Sequence, residues 1–72
     1  MDNNNLIKMA NNIGAFFKSE PDRALAIQGV EQHIRNFWEP RMRKQIVEYS
    51  QTHQEELLDI VAEAVAHIAQ KP

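Results

Sequence analysis

The chain contains no cysteine, and its 72 residues include only two glycines and three prolines. Without cysteine there is no disulfide framework, and three histidines alone offer no closed zinc site. A chain of this length forms one domain at most and buries only about 60% of the surface that its unfolded form exposes. We therefore predict a single domain, residues 1–72, whose thin core a binding partner would help to stabilise.

A long apolar run is also missing. The apolar stretch at residues 60–69 is interrupted by Glu63 and His67, and it is far shorter than the roughly 20 residues that cross a bilayer. The first residues are an acid and three asparagines, where a secretory signal would have basic residues before an apolar stretch. We expect a soluble, cytoplasmic protein with no membrane contact.

No window of the sequence has the apolar and polar alternation of a strand. Apolar residues instead recur at steps of three and four, as on one face of a helix. This spacing predicts an all-α fold, a small bundle of three to four helices over about residues 4–18, 21–38, 40–50 and 53–70. Residues 1–4 are expected to be disordered.

Two proline-containing stretches mark the ends of the predicted helices. Residues 19–22 combine capping side chains with Pro21, which would end the first helix and begin the second. Glu39 and Pro40 indicate a corner, because proline disfavours a helical predecessor and suits the first turn of a new helix.

Residues 41–70 contain neither glycine nor proline. Thr52 followed by Glu55 fits a capping box, which predicts a separate last helix. One long bent helix over residues 41–70 is the alternative. Gly14 and Gly29 lie inside predicted helices, where glycine costs roughly 1 kcal/mol relative to alanine. Each indicates either a close approach of another backbone or a tolerated weak point.

Charge is uneven along the chain, although the net charge is only −2. Residues 1–32 sum to −1, residues 33–44 to +3 and residues 45–72 to −4. The basic cluster, Arg35, Arg41, Arg43 and Lys44, has three interpretations: a solvated face, a contact with an acidic protein or anion, or a nucleic-acid site. Nucleic acid is the weakest interpretation, because the chain is not basic overall.

No catalytic constellation is visible. An enzyme needs a positioned nucleophile, an acid–base pair or a metal. Residues 53–56, His-Gln-Glu-Glu, lack the second histidine of a zinc-binding HExxH helix and are better explained as a solvated helix start. His67 lies near the end of the last helix, where its charged form would interact favourably with the helix dipole. We predict no enzymatic activity and no metal or cofactor on this chain.

Phe37 and Trp38 precede the proline corner. Adjacent helical residues diverge by about 100°, so both rings cannot easily face one small core. Either one ring points outward as an interface anchor or both wrap around the core. His33 beside them fits boundary packing or a partner contact, whereas Met9, Met42 and Tyr49 are most simply core residues.

The run HIRNFWEPRMR at residues 33–43, preceded by KMANNI at residues 8–13, closely resembles the delta-subunit family of NAD-dependent, molybdenum-containing formate dehydrogenases. The likeness covers about residues 5–48. Glu39 stands where the family pattern usually has aspartate, which lengthens the arm of that acid. Residues 50–53 stand where the pattern has a glycine-containing loop, so the sequence departs from it at the entry to the final helix.

The resemblance implies a non-catalytic accessory subunit of a soluble bacterial complex, bound to the large molybdenum-containing catalytic subunit and stabilising the complex. Other subunits would hold the molybdenum cofactor, iron–sulfur clusters and FMN, and would reduce NAD. A transient assembly factor for insertion of the molybdenum cofactor is the related alternative. A small nucleic-acid-binding helical protein is an alternative of another class, and self-association is left open.

We expect the partner contact to include a strip around the proline corner, which we call the predicted docking strip. Its residues are His33, Arg35, Phe37, Trp38, Pro40, Arg41, Met42 and Arg43.

Overall fold

Four α-helices, joined by three short connections, account for most of the described residues. The computed structural model describes residues 2–71, with α1 at Asn3–Phe17, α2 at Arg23–Phe37, α3 at Pro40–His53 and α4 at Asp59–Gln70. A single 3₁₀ turn, Gln54–Glu56, follows α3. No strand occurs in residues 2–71. The predicted all-α bundle is confirmed, and its last two helices are separate.

The first helix begins earlier than the sequence suggested. The Asp2 carboxylate accepts a hydrogen bond of 2.8 Å from the backbone N–H of Asn4, which satisfies one donor of the first turn. Residues 2–4, expected to be disordered, therefore form the cap and first turn, while Met1 lies outside the described residues.

The second helix is capped by residues immediately before it. The Asp22 carboxylate accepts from the N–H groups of Ala24 and Leu25 at 3.0 and 3.4 Å. Asp22 in turn donates its own N–H to the Glu20 carboxylate at 3.2 Å. The helix accordingly starts at Arg23, two residues after the predicted start, because Pro21 and Asp22 belong to the cap.

The third helix starts at Pro40, as predicted, but Glu39 makes no side-chain capping hydrogen bond. It continues to His53, three residues beyond its predicted end. The Thr52 capping box is therefore wrong: Thr52 lies inside α3, and α4 begins only at Asp59. The connection between them is bonded to the side chain of Asn11 in α1, a contact that local sequence patterns do not reveal.

The core lies mainly between α2 and α4, which make the most extensive contact in the molecule. Its largest fully buried side chains are Leu6, Val30, Ile34, Ile46, Val61 and Val65. Trp38 and Leu57, one from each of the last two connections, complete this cluster. Within residues 2–71, no helix is both long enough and apolar enough to cross a membrane.

Both helical glycines lie under a neighbouring side chain rather than another backbone. A Cβ added at Gly14 would overlap Cγ2 of Val61 and lie 3.2 Å from Leu58. A Cβ added at Gly29 would lie 2.5 to 2.9 Å from three ring carbons of Phe17. The predicted close approach of another backbone is therefore wrong at both positions, because the nearest groups are side chains, chiefly Val61 of α4 and Phe17 of α1.

Candidate docking surface

The predicted docking strip lies at the corner between α2 and α3. The chain turns there because Trp38 and Glu39 leave the helical conformation, with φ/ψ of −89/141° and −67/153°. Extended backbone before a proline is the expected conformation. The two residues therefore separate the end of α2 from the first turn of α3.

The two aromatic rings at this corner have different environments. Phe37 is 73% exposed, whereas Trp38 is 6% exposed and belongs to the core. Of the two alternatives left open by the sequence, the structure has one ring outward and one inward: Trp38 lies past the last helical position and its indole is buried in the core. Phe37 is the aromatic side chain that the corner exposes.

Phe37 is supported by a second ring one helical turn earlier. The centroids of the His33 and Phe37 rings are 4.8 Å apart, with an interplanar angle of 39°. Pro40 and Arg41, just after the corner, are exposed as well. We call these four exposed residues, His33, Phe37, Pro40 and Arg41, the corner surface. It is half of the predicted docking strip.

Arg35 lies on a different side of α2. Two helical positions differ by about 200°, so Arg35 points away from His33 and toward α4. Its Nε donates to the Glu31 carboxylate at 2.9 Å, and a second nitrogen approaches the backbone carbonyl of His67 at 3.5 Å. The other Glu31 oxygen lies 3.1 Å from Nδ1 of His67. Arg35 thus helps to join α2 to α4.

The contacts of Arg35 and His67 with Glu31, which we call the joint between α2 and α4, affect the pKa of the Glu31 carboxyl. Partial burial would raise the pKa of its carboxyl, but hydrogen bonds and charges from Arg35 and His67 outweigh burial and lower the pKa below the ordinary 4.5. The net direction means that the charged form of Glu31 is favoured in the folded protein.

The remaining strip residues support the corner from beneath. The Arg43 guanidinium donates to the backbone carbonyl of Trp38 and, at 3.4 Å, to that of Arg35. These bonds satisfy carbonyls at the end of α2. Met42 is half-buried and packs against the core. Arg43, Met42 and Trp38 therefore hold the corner surface in place more than they extend it.

Two features of the described residues bear on chemistry: the potential metal ligands and the stacked rings of Tyr49 and His53. Residues 2–71 contain no group of three or more histidines and acids able to hold a metal ion. His53 stacks on Tyr49, with ring centroids 4.2 Å apart. The Tyr49 hydroxyl lies 3.1 Å from the Glu56 carboxylate. Partial burial and this hydrogen bond raise the Tyr49 pKa above 10.0, which disfavours the phenolate that a nucleophile or base would need.

Asn11 is a structural residue that the sequence patterns missed. Its side-chain amide donates to the backbone carbonyl of Glu56 and its amide oxygen accepts from the N–H of Leu58, both at 3.0 Å. It therefore joins α1 to the connection before α4. The only sequence signal was its presence in residues 8–13, the first run that carried the resemblance.

A known protein family matches most of the chain. The family model described as NADH-dependent formate dehydrogenase delta subunit FdsD matches residues 5–65 of the 72-residue chain. This range includes the whole corner, Asn11 and the first half of α4. Neither the curated proteins nor the solved structures yielded a match.

Proposed function

The chain belongs to the delta-subunit family of NADH-dependent formate dehydrogenases, and from this premise we propose that it is a non-catalytic accessory subunit. It binds the large molybdenum-containing subunit of the enzyme and stabilises the complex. The other chains carry the molybdenum cofactor, the iron–sulfur clusters and FMN, and they use NAD. The contact is made through the corner surface, and the complex acts in the bacterial cytoplasm.

The exposure of Phe37 is the observation that carries this proposal. Because the Phe37 side chain is 73% exposed, its burial against a partner would lower the free energy of the complex. The ring is also held by the adjacent His33, so less conformational entropy is lost on binding. Aromatic and arginine side chains are enriched at the energetic centres of interfaces, and Arg41 is exposed four positions after Phe37.

The charge pattern favours a protein partner over nucleic acid. Of the four cations in the basic cluster, Arg35 is paired with Glu31 and Arg43 is bound to backbone carbonyls. A phosphate-binding surface would instead need these guanidinium groups aligned toward the solvent. Salt-sensitive binding of DNA or RNA by the purified chain at low ionic strength would contradict this assignment.

Co-purification with the separately tagged large subunit tests the proposal. Phe37→Ala should weaken the complex by about 2 kcal/mol, or roughly 30-fold in Kd, if Phe37 is a central contact. Arg41→Ala should weaken it as well, by a smaller factor. Phe16→Ala is the matched control, because Phe16 is equally exposed, at 78%, but lies at the end of α1.

Two outcomes would contradict the proposal in different ways. Unchanged binding by Phe37→Ala and Arg41→Ala would show that the corner surface is not the interface. Loss of the parent chain from the mature, active enzyme would favour the alternative of a transient assembly factor. One copy per large subunit in the purified enzyme would exclude that alternative.

A further inference from the structure

A second candidate surface is the groove between α3 and α4, whose lining is largely apolar with two cationic side chains at one end. At one end a cleft of about 400 Å³ is lined by Pro40, Arg43, Lys44, Val47, Ile68 and Ala69. A second cleft, of about 290 Å³, shares Val47 and Ala69 with it and continues toward Gln54 and Ala62. The two clefts therefore form one groove along the whole of α3.

The floor of this groove is mostly apolar, with several small side chains. On α4 the exposed lining residues are Ala66, Ala69 and, at the end of the helix, Gln70, and Ala62 lies one turn before Ala66. On α3 the half-buried Val47 lies between the clefts. Small side chains let another helix backbone come near, and apolar grooves between helices commonly hold the apolar face of an amphipathic helix.

Charge determines which helix fits. Arg43 and Lys44 lie at one end of the groove, and no acidic side chain lines either cleft. Arg43 is held in place by its hydrogen bonds to two backbone carbonyls. An occupant would be attracted if it carried Asp or Glu at the end that meets these cations. The cationic end of the groove belongs to residues 33–44, a segment that has a net charge of +3 and contains few of the chain's own acidic residues.

We propose that the α3–α4 groove binds an acidic amphipathic helix of the large formate dehydrogenase subunit. Since α3 has 14 residues, at 1.5 Å each the groove is about 21 Å long and takes about 14 helical residues. This inference rests on the proposed function for the identity of the partner. It adds a second contact to the corner surface, which the groove meets at Pro40.

The absence of cysteine provides a direct test, because any introduced cysteine is the only thiol of the chain. Ala66→Cys places a thiol on the exposed floor, and Ser19→Cys places one in the α1–α2 connection. Alkylation of Ala66→Cys by N-ethylmaleimide should be about tenfold or more slower in the purified complex than in the free chain. Alkylation of Ser19→Cys should be nearly unchanged.

A charge reversal tests the chemistry of the occupant. Lys44→Glu should raise the Kd for the large subunit about tenfold or more, with a steeper loss at low salt than at high salt. Lys18→Glu is the matched control, since Lys18 is also an exposed lysine and lies outside the groove; this change should leave the Kd within about twofold.

The outcomes separate this inference from the proposed function. Full reactivity of Ala66→Cys in an intact complex overturns the groove assignment and leaves the subunit assignment in place. Failure of the parent chain to bind the large subunit overturns the proposed function first. Slower alkylation of the free Ala66→Cys chain at higher concentration would assign the groove to a second copy, against the proposal.

Discussion

The first and third connections of this protein are built in opposite ways. Between α1 and α2, every capping contact comes from residues within three positions of its partner, namely those of Glu20 and Asp22. Between α3 and α4, the backbone carbonyl of Glu56 and the backbone N–H of Leu58 bond to the side chain of Asn11, which lies 45 and 47 positions earlier. The first connection is therefore local, whereas the third depends on the assembled bundle.

The two helical glycines differ in a similar way, one lying near the first connection and the other near the third. Gly29 lies under Phe17, at the end of α1 beside the first connection, and that ring is only half-buried. Gly14 is buried under Val61 and Leu58, where α4 leaves the third connection. Residues near the third connection should therefore tolerate change less well than residues near the first.

The largest expected effect comes from removing the long-range contact. Asn11→Ala removes two hydrogen bonds, each worth about 1 kcal/mol, and should lower the free energy of unfolding by about 2 kcal/mol. Asp22→Ala removes a local N-cap and should cost about 1 kcal/mol. Urea unfolding followed by circular dichroism measures both. Asn12→Ala, at an exposed neighbouring position, is the control, and equal losses for Asn11→Ala and Asn12→Ala would refute the distinction.

Alanine substitutions at the two glycines should change the free energy of unfolding by less, but with different signs. Alanine gains about 1 kcal/mol of helix propensity at either position. At Gly14 the new methyl group overlaps a fully buried Val61, and overpacking of about 2 kcal/mol leaves a net loss of about 1 kcal/mol. At Gly29 the Phe17 ring can move toward solvent, so Gly29→Ala should be neutral or slightly stabilising. Thermal unfolding of both variants checks the sign, and a stabilising Gly14→Ala would contradict the packing.

The smallest expected effect concerns the joint between α2 and α4. Glu31→Gln should cost about 0.5 to 1 kcal/mol at pH 7, because the side chain remains partly exposed and such pairs are weak. The Glu31 pKa is lowered in the folded protein. The contribution of the Glu31 carboxylate to the free energy of unfolding is therefore complete at pH values above its pKa in the unfolded chain, near 4.5. This contribution is lost as the pH falls through the lower pKa of the folded protein.

Urea titrations of the parent and Glu31→Gln proteins between pH 7 and pH 3 measure this contribution. The two free energies of unfolding should converge at the acid end. A difference that stays constant across this range would mean that packing rather than charge joins the two helices at Glu31.

The candidate site was only partly predictable from the sequence. Helical geometry alone required Phe37 and Trp38 to diverge, but it did not decide which ring faces solvent. That choice depends on the extended conformation of Trp38 and on the core that receives its indole. Similarly, the basic cluster appeared continuous in the sequence, whereas Arg35 and Arg43 each bind a group within the chain. Contacts within the folded chain, from Glu31 in the same helix for Arg35 and from the α2–α3 corner for Arg43, decide the use of each guanidinium group.

The sequence by itself determined the helical class, the ends of α1 and α2 to within two residues, and the corner at Pro40. These features were predictable because helix spacing, capping side chains and proline act on residues only a few positions away. Only the tertiary structure decided where α3 ends and α4 begins, and which strip residues reach the surface. Asn11 and the buried Trp38 act through contacts that exist only once the helices are assembled.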